Sequence, residues 1–302
     1  MTYDPSGDKS LSKNERREAA RQKARVLRDS QKKKDRRSKA LLQGSLLVVV
    51  IAIATVVALV IINSVRPPSP GPLNMLSDGI KIEQGFKAVA TPALQPDAKP
   101  VAAKTNAPDV INIQIYIDYQ CPVCGQFEKT NAAQIAKLVA TGAATEEVHP
   151  IAILDNLSLG RKYSTRAANA AACVANNSPN EFFTYSALLF DNQPKENSEG
   201  LSDAKLISLA KQAKVAKASS ISRCITDQTF KAWVASATTR ATSTQVADSN
   251  VKKIIGTPTV IINGKKFEGA FDNALEFAAA ISGAAGETYT QVGPTPSPTP
   301  SP

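Results

Sequence analysis

Two cysteines separated by two residues, Cys121-Pro122-Val123-Cys124, are the clearest chemical signal in this sequence. That spacing lets one sulfur reach the other, so the pair can cycle between dithiol and disulfide. The chemistry needs a thiolate, because the ionised sulfur is the nucleophile. A helix N-terminus favours such an anion through its free N–H groups and its dipole. Pro122 suits the first helical turn, where a missing N–H costs nothing and a fixed φ helps. Cys121 is then the attacking sulfur, and Cys124 resolves the mixed disulfide formed with a substrate.

Half a zinc site is the competing reading of a lone C-x-x-C. A structural zinc needs four ligands, normally as two closely spaced pairs. The remaining cysteines, Cys173 and Cys224, lie too far apart in the chain to supply a second pair, and the single histidine, His149, reads as an ordinary strand residue. No metal is expected. Tyr119 and Gln120 could line the approach to Cys121 or simply pack, and Asp118 could tune a proton or end a strand. No Gly-rich phosphate loop, Ser-His-Asp order or paired-carboxylate motif is nominated by spacing.

The motif falls where the hydrophobic period changes. Val110 to Ile117 is rich in β-branched residues and bounded by Pro108-Asp109 and Asp118, which predicts a strand. After Cys121, Phe127, Ile135, Leu138 and Val139 share one face of a helix running to Gly142. Val148 to Leu154 predicts the next strand, completing a βαβ unit. Residues 157–249 are rich in Ala, Ser, Lys and Leu, and predict helices near 161–176, 179–190, 203–213, 219–225 and 228–247. Thr259–Ile262 and Lys265–Phe267 flank Asn263-Gly264, a favoured two-residue hairpin turn. A last helix is expected from Asn273 to about Ser282. Just before the hairpin stands Gly256-Thr257-Pro258-Thr259. Pattern alone favours a trans bond there, since only ~5–6% of X-Pro bonds are cis.

Strand, C-P-x-C, helix, helical insertion, then G-T-P-T before a hairpin and final helix resemble the DsbA-like branch of the thioredoxin superfamily. The stretch Asp118-Tyr119-Gln120-Cys121-Pro122-Val123-Cys124 is similar to the D-x-Q-C-P-x-C of its membrane-anchored members. The resemblance covers about residues 79–285. It implies an α/β, thioredoxin-like fold with a helical insertion. It also implies that Pro258 is a cis-proline facing the sulfurs and that the Thr257 backbone pairs with a bound substrate strand. The best-known oxidising members carry His within the motif, where this chain has Val123, so a less stabilised thiolate and a weaker oxidant are expected.

Residues 41–62 carry no charge and contain a long apolar run, enough to cross a hydrocarbon core of about 30 Å. The run is longer than a signal-peptide core, and Asn63-Ser64-Val65-Arg66 offers no small-residue cleavage site, so an uncleaved transmembrane helix is expected. Residues 1–40 contain 14 Lys or Arg and 6 Asp or Glu, whereas only Arg66 closely follows the span. The excess of basic residues on one side places the N-terminus in the cytoplasm and the rest of the chain outside. The net charge of +10 is thus mostly a property of this tail, and predicts lipid head-group contact rather than a nucleic-acid surface on the folded part. With few apolar residues, the tail is expected to be disordered when free, with some helical tendency.

The expected organisation is a basic cytoplasmic tail (1–40), a transmembrane anchor (41–64), a stiff Pro-rich linker (65–78), a thioredoxin-like domain (79–288, insertion about 157–249) and a Ser/Thr-Pro tail (289–302). Outside the cytoplasm leftover cysteines usually bond. Cys173 and Cys224 are expected to form a structural bridge within the insertion, the alternatives being a second shuttling pair or cysteines that are free or pair differently. The expected activity is oxidation of cysteines in exported proteins, without a cofactor. The resemblance implies re-oxidation by a membrane partner of the DsbB or vitamin K epoxide reductase homologue type. A reductase or isomerase, or a non-catalytic binding module, are the rival readings.

Overall fold

The structure, a computed structural model, describes residues 17–18, 21–34, 51–55 and 69–292. The chain divides into two units, residues 1–67 and 68–302. In the first, residues 21–34 and 51–55 are helical. The rest of the span expected at 41–64 lies outside the described residues, as does the Ser/Thr-Pro tail beyond 292. Among the described residues, no helix is long and apolar enough to cross a membrane.

The second unit is built on a six-stranded sheet. In chain order its strands are β1 (Ile80–Glu83), β2 (Lys87–Ala88), β3 (Ile111–Ile117), β4 (Ala144–Pro150), β5 (Thr259–Ile262) and β6 (Lys265–Lys266). Their spatial order is β2-β1-β4-β3-β5-β6. β3 and β4 are parallel, with Ile115 opposite Val148, and β1 and β5 flank them antiparallel. Helix α1 (Pro122–Thr141) connects β3 to β4 as the crossover that a parallel pair requires. Five helices then intervene before β5: α2 (Tyr163–Asn177), α3 (Phe182–Asp191), α4 (Asp203–Gln212), α5 (Ala218–Thr226) and α6 (Lys231–Ser243). Helix α7 (Ala274–Val292) closes the unit.

Alternation along the strands divides the packing between two sheet faces. Ile113 and Ile115 pair with Ile262 and Val260 and share a core with Phe127, Phe267 and Phe277. Phe277 meets Phe127 and Phe267 edge-on, at 5.4 and 5.6 Å between ring centres. Tyr116 and Ile261 point the other way and join Ile151, Val246, Val251 and Ile254 in a second cluster. Helix α2 is buried on nearly every side, which its run of alanines permits by letting neighbours approach closely. Cys173 on α2 is bonded to Cys224 on α5, with their Cα atoms 5.8 Å apart.

Four features depart from the sequence reading, the first being that α7 runs on to Val292, past the end expected near Ser282 and into the expected tail. The N-terminal hairpin β1–β2 was not expected; with strands of four and two residues it carries little periodic signal. β4 begins at Ala144 and ends at Pro150, earlier than the 148–154 expected, because Thr145-Glu146-Glu147 reads as polar yet is buried. Residues 69–78 of the expected spacer pack against the domain. Met75 is fully buried, Gly71 N–H donates to Leu94 O at 2.8 Å, and Asn74 Nδ2 donates to Ala175 O at 2.8 Å. Asp78 receives Trp233 Nε1 at 3.1 Å and Arg240 Nε and Nη2 at 2.6 and 2.7 Å. A buried carboxylate needs such partners, and these lie on α6, so the segment is drawn onto the domain.

Candidate active site

Cys121 is the residue at which β3 has ended and α1 begins. Its backbone is extended (φ −71°, ψ 116°) and its side chain caps the helix, accepting the Cys124 N–H at 3.4 Å. Pro122 occupies the first helical position. The buried face of α1 runs Cys124, Phe127, Asn131, Ile135 and Val139, at helical spacing. Gly142, at φ 79°, ends it in the left-handed conformation, where a Cβ would be strained. Leu138, expected on the same face, is only partly buried.

The structure brings the second motif to the first. The Thr257–Pro258 peptide bond is cis. The Cys121 Sγ donates to the Thr257 carbonyl at 3.1 Å. Both Cys121 and Cys124 are free thiols, 5% and 1% exposed. Val123 faces solvent, 48% exposed, and Ile255 beside the Pro258 loop is 83% exposed.

The two sulfurs sit in opposite electrostatic settings. The Cys124 thiol, against the opposing effect of burial, together with Thr257 and the N–H groups of Cys124 and Val123, lowers the Cys121 thiol to about 6. Thr257 Oγ1 is buried and, among the described residues, has no hydrogen-bond partner, so its proton is available to the sulfur. Burial pushes the Cys124 thiol well above its ordinary range, and the neighbouring Cys121 sulfur adds to the effect. One sulfur is thus built to carry charge and the other to stay protonated.

The loop before Cys121 is fastened from several sides. Asp118 Oδ1 accepts the Gln120 N–H at 2.9 Å, and Oδ2 accepts the N–H groups of Ile153 and Leu154 at 2.9 and 3.0 Å. Burial pushes the Asp118 carboxyl up to about 6, against the pull of those donors. Gln120 Nε2 donates to Leu157 O at 2.7 Å. Tyr119 is fully buried, its hydroxyl 3.1 Å from Ser186 Oγ. Gln193 Nε2 donates to Tyr119 O and Cys121 O at 3.1 and 2.8 Å.

The sequence reading passed over Gln193, Glu128 and Glu146. Gln193 lies in a loop between helices, where nothing in the local pattern marks it. Glu128 stands four residues after Cys124, one helical turn along, a spacing that could have flagged it. It lines a small cavity with Glu146. His149 is not brought to the cysteines. It stacks on Tyr116 at 4.3 Å, with Nε2 3.4 Å from Glu147 Oε1. Both residues line a cavity of about 460 Å³ on the sheet face opposite Ile113 and Ile115.

Residues 97–281, more than half of the chain, match the family described as Thioredoxin. The chain belongs to that family. A solved structure of oxidised DsbA from Mycobacterium tuberculosis is similar at 29% identity with a TM-score of 0.51, covering 69% of this chain and 93% of that one. Disulfide bond formation protein D of Bacillus subtilis is 29% identical over 189 residues, 61% of this chain and 76% of that protein. The serine/threonine-protein kinase PknE of Mycobacterium tuberculosis is 37% identical over 102 residues. That match takes in 32% of this chain, and the chain spans only 18% of the kinase's length.

Proposed function

We propose that this protein is a thiol–disulfide oxidoreductase of DsbA type, anchored by the 41–64 span, that oxidises cysteines of exported proteins outside the cytoplasm. The observation that carries the reading is the single point where Cys121 Sγ meets the α1 N-terminus and the cis-Thr257–Pro258 carbonyl. The similarity to DsbA and to disulfide bond formation protein D supports it. The charge asymmetry of residues 1–40 against Arg66 supports the orientation.

In this scheme the resting enzyme holds a Cys121–Cys124 disulfide. A substrate thiolate attacks Cys121 Sγ, and the bond to Cys124 breaks. Cys124 leaves as a thiolate and takes up a proton, as its raised pKa dictates. A second substrate thiol, losing its proton, attacks the substrate sulfur of the mixed disulfide and expels Cys121 as a thiolate. The substrate has lost two electrons and the enzyme pair has gained them. A membrane oxidant of the DsbB or vitamin K epoxide reductase homologue type returns the pair to disulfide.

The decisive measurement is the reduction potential of the full chain in detergent, equilibrated with glutathione, with Cys121→Ser as control. A potential near about −120 mV supports an oxidase, and one near about −270 mV assigns a reductase. Val123→His should shift it further. A protonatable ring beside Cys121 favours the thiolate, and each pKa unit lost by Cys121 is worth about 30 mV toward a stronger oxidant. An unchanged potential in Val123→His, with an unchanged Cys121 pKa, would show that this exposed position does not address the sulfur.

A further inference from the structure

We infer that Gln193, which the helical insertion contributes, is a positioning residue that sets the reactivity of Cys121 by holding its backbone carbonyl. The inference rests on Cys121 being the reactive sulfur.

The stem that carries Gln193 is rigid. Helix α3 ends at Asp191, the Asn192 N–H donates to Leu188 O at 3.2 Å, and the Gln193 N–H donates to Phe190 O at 3.0 Å. Asn192 Nδ2 closes the same turn on Leu188 O at 3.0 Å. From this base the amide reaches back across the fold. Its Nε2 donates to the carbonyls of Tyr119 and Cys121, which flank Gln120. An amide NH₂ has two N–H groups, and both are used on the residues leading into the motif.

Cys121 O has a second donor. The Gly125 N–H reaches it at 3.1 Å, the first intrahelical bond of α1. Gln193 therefore fixes the carbonyl whose direction sets the first turn of the helix, and with it the Cys124 N–H that points at Cys121 Sγ. The amide also explains a residue that the helix itself disfavours. Gly125 sits inside the first turn of α1, where Gly is less favourable than Ala. A Cβ at Gly125 would lie 2.3 Å from Gln193 Oε1. The glycine makes room for the clamp, and no positive φ requires it.

Gln193→Met keeps the length and most of the volume while removing both donors. Its expected effect is a rise of about one unit in the Cys121 pKa, read as thiolate absorbance against pH in the full chain in detergent. At pH 6 the thiolate fraction of Cys121 should then fall about fivefold and its alkylation rate about twofold, while at pH 9, where the sulfur is ionised in both proteins, the rate should rise about threefold because intrinsic nucleophilicity follows pKa. A side chain that served only stability would lower the melting temperature and leave this pH profile in place. Gly125→Ala, which displaces the amide without altering it, should move the profile in the same direction. A Gln193→Met chain that folds with an unshifted profile overturns the inference. If that variant does not fold, an unshifted profile in Gly125→Ala overturns it. Neither result touches the reading of Cys121 itself, which fails if Cys121→Ser leaves exchange intact.

Discussion

Replacing Cys121 by serine is expected to abolish dithiol–disulfide exchange, a loss of at least about a thousandfold, whereas Cys124→Ser should instead trap substrate covalently. The asymmetry follows from the two sulfurs' surroundings. Cys121 caps α1 and has its thiol lowered to about 6 from an ordinary 9.0. At pH 7 that change raises the thiolate fraction about ninetyfold. Intrinsic nucleophilicity falls with pKa, however, and with a Brønsted slope of about 0.45 it drops roughly twentyfold over three units. Attack by Cys121 thus gains only roughly fourfold. Departure of Cys121 gains far more, because a lower leaving-group pKa speeds its expulsion from a mixed disulfide. A sulfur tuned to leave suits the step that releases oxidised substrate. Cys124, buried and held protonated, has no route to substrate except through Cys121. With a disulfide-containing peptide, Cys124→Ser should give adducts that dithiothreitol removes and Cys121→Ser should give none. Equal adduct formation by both variants would refute the assignment.

That much of the site could be read in the chain because strand, turn and helix signals there agree with one another. The β-branched run into Asp118, the proline after Cys121 and the periodic apolar face beyond it all point to one junction. The Asn263-Gly264 turn is similar in kind. Both residues have positive φ, 47° and 78°, as a two-residue hairpin between β5 and β6 requires. What escaped reading depends on distant partners. Asp78 is buried because Trp233 and Arg240 meet it from α6, and no local pattern in 69–78 announces them. The start of β4 was missed because acidic residues disfavour strands, and Glu146 and Glu147 hold theirs only through tertiary packing. Gln193 is the clearest case. Its role lies in two carbonyls more than 70 residues away in the chain. The cis bond at Pro258 belongs with these, since pattern alone favours a trans bond at that position and only the family likeness implied a cis one.

Buried Glu146 and half-buried Glu128 behind the motif should make stability fall as pH rises, and Glu146→Gln should remove most of that slope. Glu146 is 5% exposed and lines a small cavity with Glu128, Ile115, Ile117, Val148, Phe182, Phe183, Ser186 and Phe190. Among the described residues, no basic side chain lines that cavity. Burial, with the Glu128 charge adding to it, pushes the Glu146 carboxyl up to about 8. Burial and the charge of Asp191 push Glu128 up to about 7. Both folded values exceed the ordinary 4.5, so the folded state binds protons that the unfolded chain releases. The stability this confers is fully present below about pH 4.5 and is lost as pH rises through 7 and 8. Glutamine is neutral at every pH and nearly isosteric. Glu146→Gln should therefore match the parent within about 1 kcal/mol at pH 5 and exceed it by about 3 kcal/mol at pH 9. For a domain of this size that is a rise of roughly 6–12 °C in melting temperature at the higher pH. Denaturant unfolding at the two pH values checks the claim. If parent and variant differ by the same amount at both, Glu146 keeps its ordinary pKa in the folded protein and its carboxylate has a cation that this cavity does not reveal.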